Sequence, residues 1–448
     1  MNYQEFKEAV LKAAREKELA DYELYYESLE DTEVSTYQDE IESFAVKESG
    51  GACFRCICGG KAGYAATELF TKEAAGQLVE NAIQNARVIE SEDPVILKEA
   101  GDTYKSCEAA KIELPDGAEI KELALKLQKL VFEEEERVSQ ASQTHVIVEK
   151  NERAIVNSKG LDLSHSVCEG LLYSAAIITE GDEMYDGDEI YVGDIKHADL
   201  KAIAKKAVSD AVSKIGADTV ESKKYPCIFS GKMMATLLQT FSQIFYADTA
   251  QQGLSLLKGK EGELIASQKV TLLDDPFYSG SSLQFPFDAE GSATFSKGVI
   301  EDGVFRTFLF NLTTAGKDGK KTTGNAGRPG YASPLCIMPY HFYIKAGELS
   351  LEQIMEETGD GLYITELNGM HSGANPITGD FSLAASGYLV EKGKKTKAVH
   401  NFTVSDNIYE LLKKIDEVGA DLEFGIPRGQ SVFGAPSTLV RDVSVAGK

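Results

Sequence analysis

The sequence predicts an α+β protein: two small N-terminal α+β units followed by a large, mostly antiparallel β C-terminal domain. Three observations predict it. Apolar residues recur at helical spacing in four segments of the first half, with strand-like alternation between them. From residue 222 the pattern turns to short alternating runs separated by Gly, Asn and Asp turns. The 448 residues, 43% hydrophobic and 26% charged, suit two or three packed domains. The expected boundaries are 1–92, 115–218 and 222–448.

The first helix spans 3–17, with Phe6, Val10, Leu11 and Ala14 on one face. Residues 21–66 alternate as strands and end in a hairpin through Gly59-Gly60. Leu78, Ala82, Ile83 and Ala86 mark a helix over 71–89. The stretch 91–116 carries Asp93-Pro94, Gly101 and Pro115-Asp116-Gly117 and reads as a connection. A helix over 117–138 presents Ile120, Leu123, Leu127, Leu130 and Val131. Strands over 144–158 and 165–181, a solvated acidic loop over 180–194 and a helix over 198–215 complete the second unit. A strand from Tyr225 opens the third, and residues 230–253 read as one amphipathic helix. Asp302-Gly303 and Lys392-Gly393 signal hairpins, and helices are expected at 350–357 and 406–418.

A net charge of −25 without any large basic stripe argues against direct nucleic-acid binding. No apolar run is long enough to span a membrane, and the charged N-terminus is not a secretory signal, so a cytoplasmic location is expected. Seven cysteines are too few and too scattered for a disulfide scaffold. Cys53 and Cys56 have metal-like spacing, but on a strand they point to opposite faces and read as structural thiols, and the same argument separates His165 from Cys168. The acidic loop lacks calcium-loop spacing, and no H-E-x-x-H, G-x-S-x-G, Walker A or G-x-G-x-x-G motif is present. Two loops hold candidate groups. Residues 322–330, with Asn325 and Arg328, suit a carboxylate or peptide carbonyl, or form a Gly-rich surface loop. Residues 371–382, with His371, Asn375, Thr378, Asp380 and Ser382, line a cleft or make a hydrogen-bonded corner.

The order of VTLLDDP (270–276), FPFDAEGSAT (285–294), GVIEDGVFRTFLF (298–310), TTGNAGR (322–328), ITGDFSLAASGYLVEKG (377–393), SDNIYELLKKIDEVGADLEF (405–424) and VSVAGK (443–448) resembles the TldD/TldE (PmbA) family, the so-called modulators of DNA gyrase. GGKAGYAATELF (59–70) resembles the family's N-terminal signature, so the resemblance covers nearly the whole chain. It implies two α+β units before a β-rich domain. It also implies two branches: a TldD zinc metallopeptidase with an H-E-x-x-x-H helix and a C-terminal Cys ligand, and a TldE/PmbA partner without them. Here the six motif positions fall on residues 239–244, with Gln239 and Ile244 at the ligand positions and Thr240 at the Glu position. The last Cys is Cys336 and the last His is His400, so the third ligand is missing too. Zinc needs three protein ligands, and hydrolysis a carboxylate base. The resemblance therefore implies no catalytic or metal residue in this chain, zinc only in a TldD-like partner, and peptides or unfolded chains as substrate. The candidate loop residues become a peptide groove or partner contact, peptide being held by β-augmentation, and a homodimer is expected of the isolated chain. Two alternatives stay open: a stand-alone peptidase using Asp380 with His371 or Ser382, and a non-enzymatic regulator of a toxin-antitoxin or gyrase-related system.

Overall fold

The structure, a computed structural model, describes residues 1–91, 93–107 and 112–448. Its first half runs α1 (Tyr3–Glu16), β1 (Tyr22–Tyr37), β2 (Glu40–Cys58), β3 (Lys61–Thr67), α2 (Lys72–Val88), α3 (Gly117–Glu134), β4 (Gln143–Asn157), β5 (Asp162–Glu180), β6 (Glu183–Gly193) and α4 (Leu200–Ser213). Asn2 and Asp116 start α1 and α3 with capping boxes that satisfy the first free N–H groups. The two units share one six-stranded sheet in the order β3-β2-β1-β4-β5-β6, joined by the antiparallel β1–β4 pair. Each unit is therefore an α-β-β-β-α repeat, and the pair is arranged with pseudo-twofold symmetry about the β1–β4 seam. Both repeats use one packing device. A Cβ on Gly63 of β3 would lie 1.9 Å from the Ala82 carbonyl of α2, and one on Gly187 of β6 would lie 2.3 Å from the Ala207 carbonyl of α4. Glycine on the strand and alanines on the helix let the two backbones meet.

All four helices cover one face of this sheet, over cores built on Phe6, Phe54 and Val79 in the first repeat and on Leu127, Val146 and Ala207 in the second. The other face carries Glu23, Tyr25, Cys53, Arg55, Arg153, Ile155 and Val167, and the C-terminal domain packs on it. The residues within 91–116 that are described strap this junction: Asp102 accepts from Ala293 N at 3.0 Å and Tyr104 Oη donates to Gly291 O at 2.9 Å. Residues 92 and 108–111 of the expected connection lie outside the described residues.

The C-terminal domain contains β7 (Lys223–Phe229), α5 (Gly231–Phe241), α6 (Ala247–Gln251), β8 (Leu272–Asp275), β9 (Lys297–Glu301), β10 (Val304–Phe305), α7 (Leu312–Lys317), β11 (Ala326–Gly327), β12 (Cys336–Ile337), β13 (His341–Ile344), α8 (Leu351–Thr358), β14 (Gly361–Asn368), α9 (Met370–Gly373), β15 (Asp380–Glu391), β16 (Lys394–Asn407), α10 (Ile408–Leu411), β17 (Ile415–Val418), β18 (Glu423–Phe424), β19 (Val432–Ala435) and β20 (Thr438–Ala446). One sheet runs β10-β9-β8-β13-β19-β18. The other runs β16-β15-β14-β7-β20-β17, and a further β16–β20 pairing closes five of its strands into a ring. Among the pairings between these strands only β7–β14 and β13–β19 are parallel, so the fold is α+β with a mostly antiparallel C-terminal part. No helix among the described residues is long and apolar enough to cross a membrane.

The structure corrects three sequence expectations. Residues 180–194 are not a solvated loop: β6 pairs with β5 along Glu183–Gly193, its acidic side chains lying on an edge strand while Tyr185 and Tyr191 pack on the second core. The helix over 230–253 is interrupted after Phe241. Leu309 bonds both ways there, donating to Phe245 O (2.9 Å) and accepting from Ala247 N (3.0 Å), which removes those groups from any helical ladder. The helix over 406–418 is one turn, Ile408–Leu411, because Ile415 and Val418 are recruited into β17 against β20.

Candidate functional site

Ser230 caps α5, its Oγ accepting from Met233 N at 3.3 Å. Met234, Leu237, Leu238, Phe241, Ile244 and Phe245 form the expected apolar stripe, none more than 6% exposed. They wedge α5 between β7–β14 and β18–β19. The polar side is half-buried rather than open. Thr240 Oγ1 donates to Thr236 O at 2.8 Å, and Ser242 Oγ donates to Gln239 O at 3.0 Å and shares a 3.0 Å bond with Tyr246 Oη. Burial holds the Tyr246 phenol well above its ordinary range, and the charges of Asp274, Cys336 and Asp248 add to this. Of the motif positions, Gln239 and Thr240 lie on this polar side, whereas Ile244 is fully buried in the core.

The loop candidates separate. Asn325 is fully buried and belongs to a charge network. Its Nδ2 donates to Asp274 Oδ2 (2.7 Å), and its Oδ1 accepts from Thr323 Oγ1 (2.7 Å) and Lys297 Nζ (3.2 Å). Asp274 also accepts from Lys297 Nζ (2.8 Å) and Tyr340 N (2.7 Å). This corrects the reading of Asn325 as a groove or contact residue, because a completed buried network leaves it nothing to offer a surface. Arg328 is buried against the first sheet: its Nη1 donates to Ser333 O at 2.7 Å and its guanidinium lies 4.9 Å from the centre of the Tyr25 ring. His371, Asn375, Thr378, Asp380 and Ser382 are exposed on the far side, where β15 leaves the corner after α9. There Asn375 Oδ1 accepts from Ile377 N (3.0 Å) and Thr378 N (3.2 Å), Asn407 Nδ2 donates to Asp380 Oδ1 (2.8 Å), and Ser405 Oγ donates to Ser382 Oγ (2.9 Å). Hydrogen bonds from Asn407 and Thr378 hold the Asp380 carboxyl below its ordinary range. The bonds are those of a corner. Arg328 does not join this group.

A second charged cluster went unread in the sequence. Glu23 and Arg55, partners across β1–β2, pair at 3.0 Å with side chains no more than 2% exposed. Arg55 Nη1 also approaches Glu290 Oε1 of the C-terminal domain at 3.9 Å. Glu290 accepts from Leu312 N (2.8 Å), while Asp288 accepts from Glu290 N (2.9 Å), Ser292 N (2.9 Å) and Ala326 N (3.1 Å). Burial, then the charge of Asp288, pushes Glu290 up to about 8, and burial raises Asp288 to about 6 against those three N–H bonds. The only sequence signal is the polar phase of the β1 and β2 alternation, which looks like a solvent face.

Residues 222–447 match the family model for the PmbA/TldA metallopeptidase C-terminal domain; residues 22–86 match domain 1 and residues 110–215 the central domain. The chain belongs to the PmbA/TldD family. A modulator-of-DNA-gyrase protein from Thermotoga maritima superposes with a TM-score of 0.89 at 29% identity, over 99% of this chain and 100% of that one. TldE from Thermococcus kodakarensis shares the fold, with a TM-score of 0.86 at 24% identity over 98% and 100% of the two chains. Among relatives, metalloprotease PmbA of Escherichia coli O157:H7 is 25% identical over 93% of this chain and 90% of its own.

For this PmbA/TldD protein the family's name raises the question of a metal. At the positions expected to align with the metal motif stand an amide, a hydroxyl committed to Thr236 O and a fully buried isoleucine. None is an imidazole, thiolate or carboxylate. Among the described residues, no group of three or more His, Cys, Asp or Glu is disposed to hold a metal ion.

Proposed function

We propose that this chain is the PmbA/TldE-type, non-hydrolytic subunit of a TldD/TldE-type metallopeptidase acting on peptides and unfolded chains. In that assembly zinc belongs to a TldD-like partner, and this chain completes and supports the substrate channel. One observation carries the reading: Gln239, Thr240 and Ile244, the residues that the resemblance sets at the metal-motif positions, offer an amide, a hydroxyl and an apolar side chain built into the core. Zinc hydrolysis requires an ion with an open coordination site and a carboxylate base, and these side chains supply neither. Family membership supports the choice of partner, and the half-buried polar side of α5 and of the turn after it, with Gln239, Gln243 and Tyr246, supports a contact role for this segment.

The test is cleavage of an unfolded reporter peptide in zinc-containing buffer by this chain alone, by a TldD-type subunit alone, and by both together. The expected result is activity only where the TldD-type subunit is present, greatest in the mixture, with the two chains co-eluting. Zinc-dependent turnover by this chain alone would overturn the proposal.

A further inference from the structure

Between the uncovered face of the first sheet and the C-terminal domain lies a cavity of about 320 Å³. Its size is at the lower end of small-molecule pockets. Its walls carry Glu27, Glu149, Arg153, Glu169 and Arg328, together with Gln430. Arg153 and Arg328 are 6% exposed and Glu169 8%. Several of their polar atoms lack a partner in the protein. Arg153 donates to Gln430 Oε1 at 3.2 Å, but its Nε has no acceptor. Arg328 has none for Nε or Nη2, and Glu169 Oε2 and Glu27 Oε2 have no donor. Buried polar groups are ordinarily paired, and guanidinium and carboxylate are the groups least tolerant of isolation.

The two guanidiniums, with the carboxylate of Glu27 beside them, lie at one end of the cavity, and the carboxyls of Glu149 and Glu169 lie together at the other. The register sets Arg153 opposite Glu27, and Glu149 opposite Glu169 two rows further along the same face. Arg328 reaches the Arg153 end from the C-terminal domain, its thiol neighbour Cys53 lying 3.9 Å from Nη1. Glu169 Oε2 has no partner at the acidic end, and burial, then the neighbouring Glu149, push the Glu169 carboxyl up to about 8. Arg153 and Glu149 are four residue steps apart on β4, roughly 13 Å between backbones. An extended di- or tripeptide, at about 3.3–3.6 Å per residue, bridges such a gap.

We infer that this cavity binds a short peptide of two or three residues with both ends free, its carboxylate at Arg153 and Arg328 and its ammonium at Glu149 and Glu169. Guanidinium matches a carboxylate with paired N–H bonds, and a carboxylate pair matches an ammonium. A free amino acid carries the same two charges but is too short to reach both ends. The inference rests on the cavity alone and stands whether or not this chain joins a metallopeptidase.

The test is isothermal titration of the full chain with trialanine, its C-terminal amide, its N-acetyl form and alanine. Trialanine is expected to bind, with each capped form at least about tenfold weaker, equivalent to about 1.4 kcal/mol, and alanine weaker than either. Glu169→Gln keeps the shape of the side chain, and its fold is checked by thermal unfolding. It is expected to narrow the preference for free over N-acetylated trialanine severalfold, Glu149 remaining, while still discriminating against the amide. Equal binding of capped and free forms, alanine binding as well as trialanine, undiminished discrimination in Glu169→Gln, or no heat with any of the four ligands would each overturn the inference.

Discussion

Replacing Glu290 by Gln should flatten the pH dependence of stability near neutrality. In the folded chain Glu290 is pushed from 4.5 to about 8, by burial first and by Asp288 second. Between those values the folded state holds a proton that the unfolded chain has released. Stability from this group is therefore fully present below about pH 4.5 and is lost as pH rises through about 8. One such proton is worth about 1.4 kcal/mol per pH unit. Glu290 therefore removes on the order of 1 kcal/mol between pH 6.5 and 7.5. Glu169, also raised to about 8, removes a similar amount. His165 and His341 are held low by burial and act with the opposite sign, but they are common to both proteins and cancel in the comparison. Glutamine preserves the acceptor for Leu312 N and carries no titratable proton. Urea unfolding followed by circular dichroism at pH 6.5 and 7.5 should give a Glu290→Gln slope shallower than wild type by on the order of 1 kcal/mol per unit. Adding Glu169→Gln should flatten it by a similar further step. The reasoning is falsified if Glu290→Gln keeps the wild-type slope, since Glu290 would then be ionised when folded, its charge matched by Arg55.

Three further outcomes are expected. Gly63→Val and Gly187→Val should each destabilise by about 3 kcal/mol or more in urea unfolding, because the new Cβ meets the Ala82 or Ala207 carbonyl, and the two losses should be alike. Asn325→Ala should cost about 2–4 kcal/mol in the same assay by stripping bonds from buried Asp274, Thr323 and Lys297, whereas Asn375→Ala on the exposed corner should cost less than about 1 kcal/mol. Grafting Gln239→His, Thr240→Glu and Ile244→His together should yield no stoichiometric zinc by mass spectrometry and should lower the unfolding midpoint, because position 244 is fully buried in the core.

Much of the fold was legible because local signals and tertiary structure agree. Asp302-Gly303 and Lys392-Gly393 each adopt two successive positive φ angles, the turn geometry their sequences announce. The four helices of the first half bury the faces their spacing marks. At two of the misread segments a distant pairing decided the outcome. Leu309 interrupts the helix after Phe241, and β20 draws Ile415 and Val418 out of helical register. Neither contact leaves a trace in the local pattern. The site was less legible for a related reason. Alternation tells which residues of a strand face away from its helices, but not what covers that other face. Glu23, Arg55, Arg153 and Glu169 all sit in that phase, and each reads as a solvated charge. A second domain covers the sheet there, so the same residues become buried charges whose titration and pairing depend on the junction. The loop holding Arg328 was found because glycines announce it, but the groups it faces lie about three hundred residues away in sequence, at Tyr25 and Cys53.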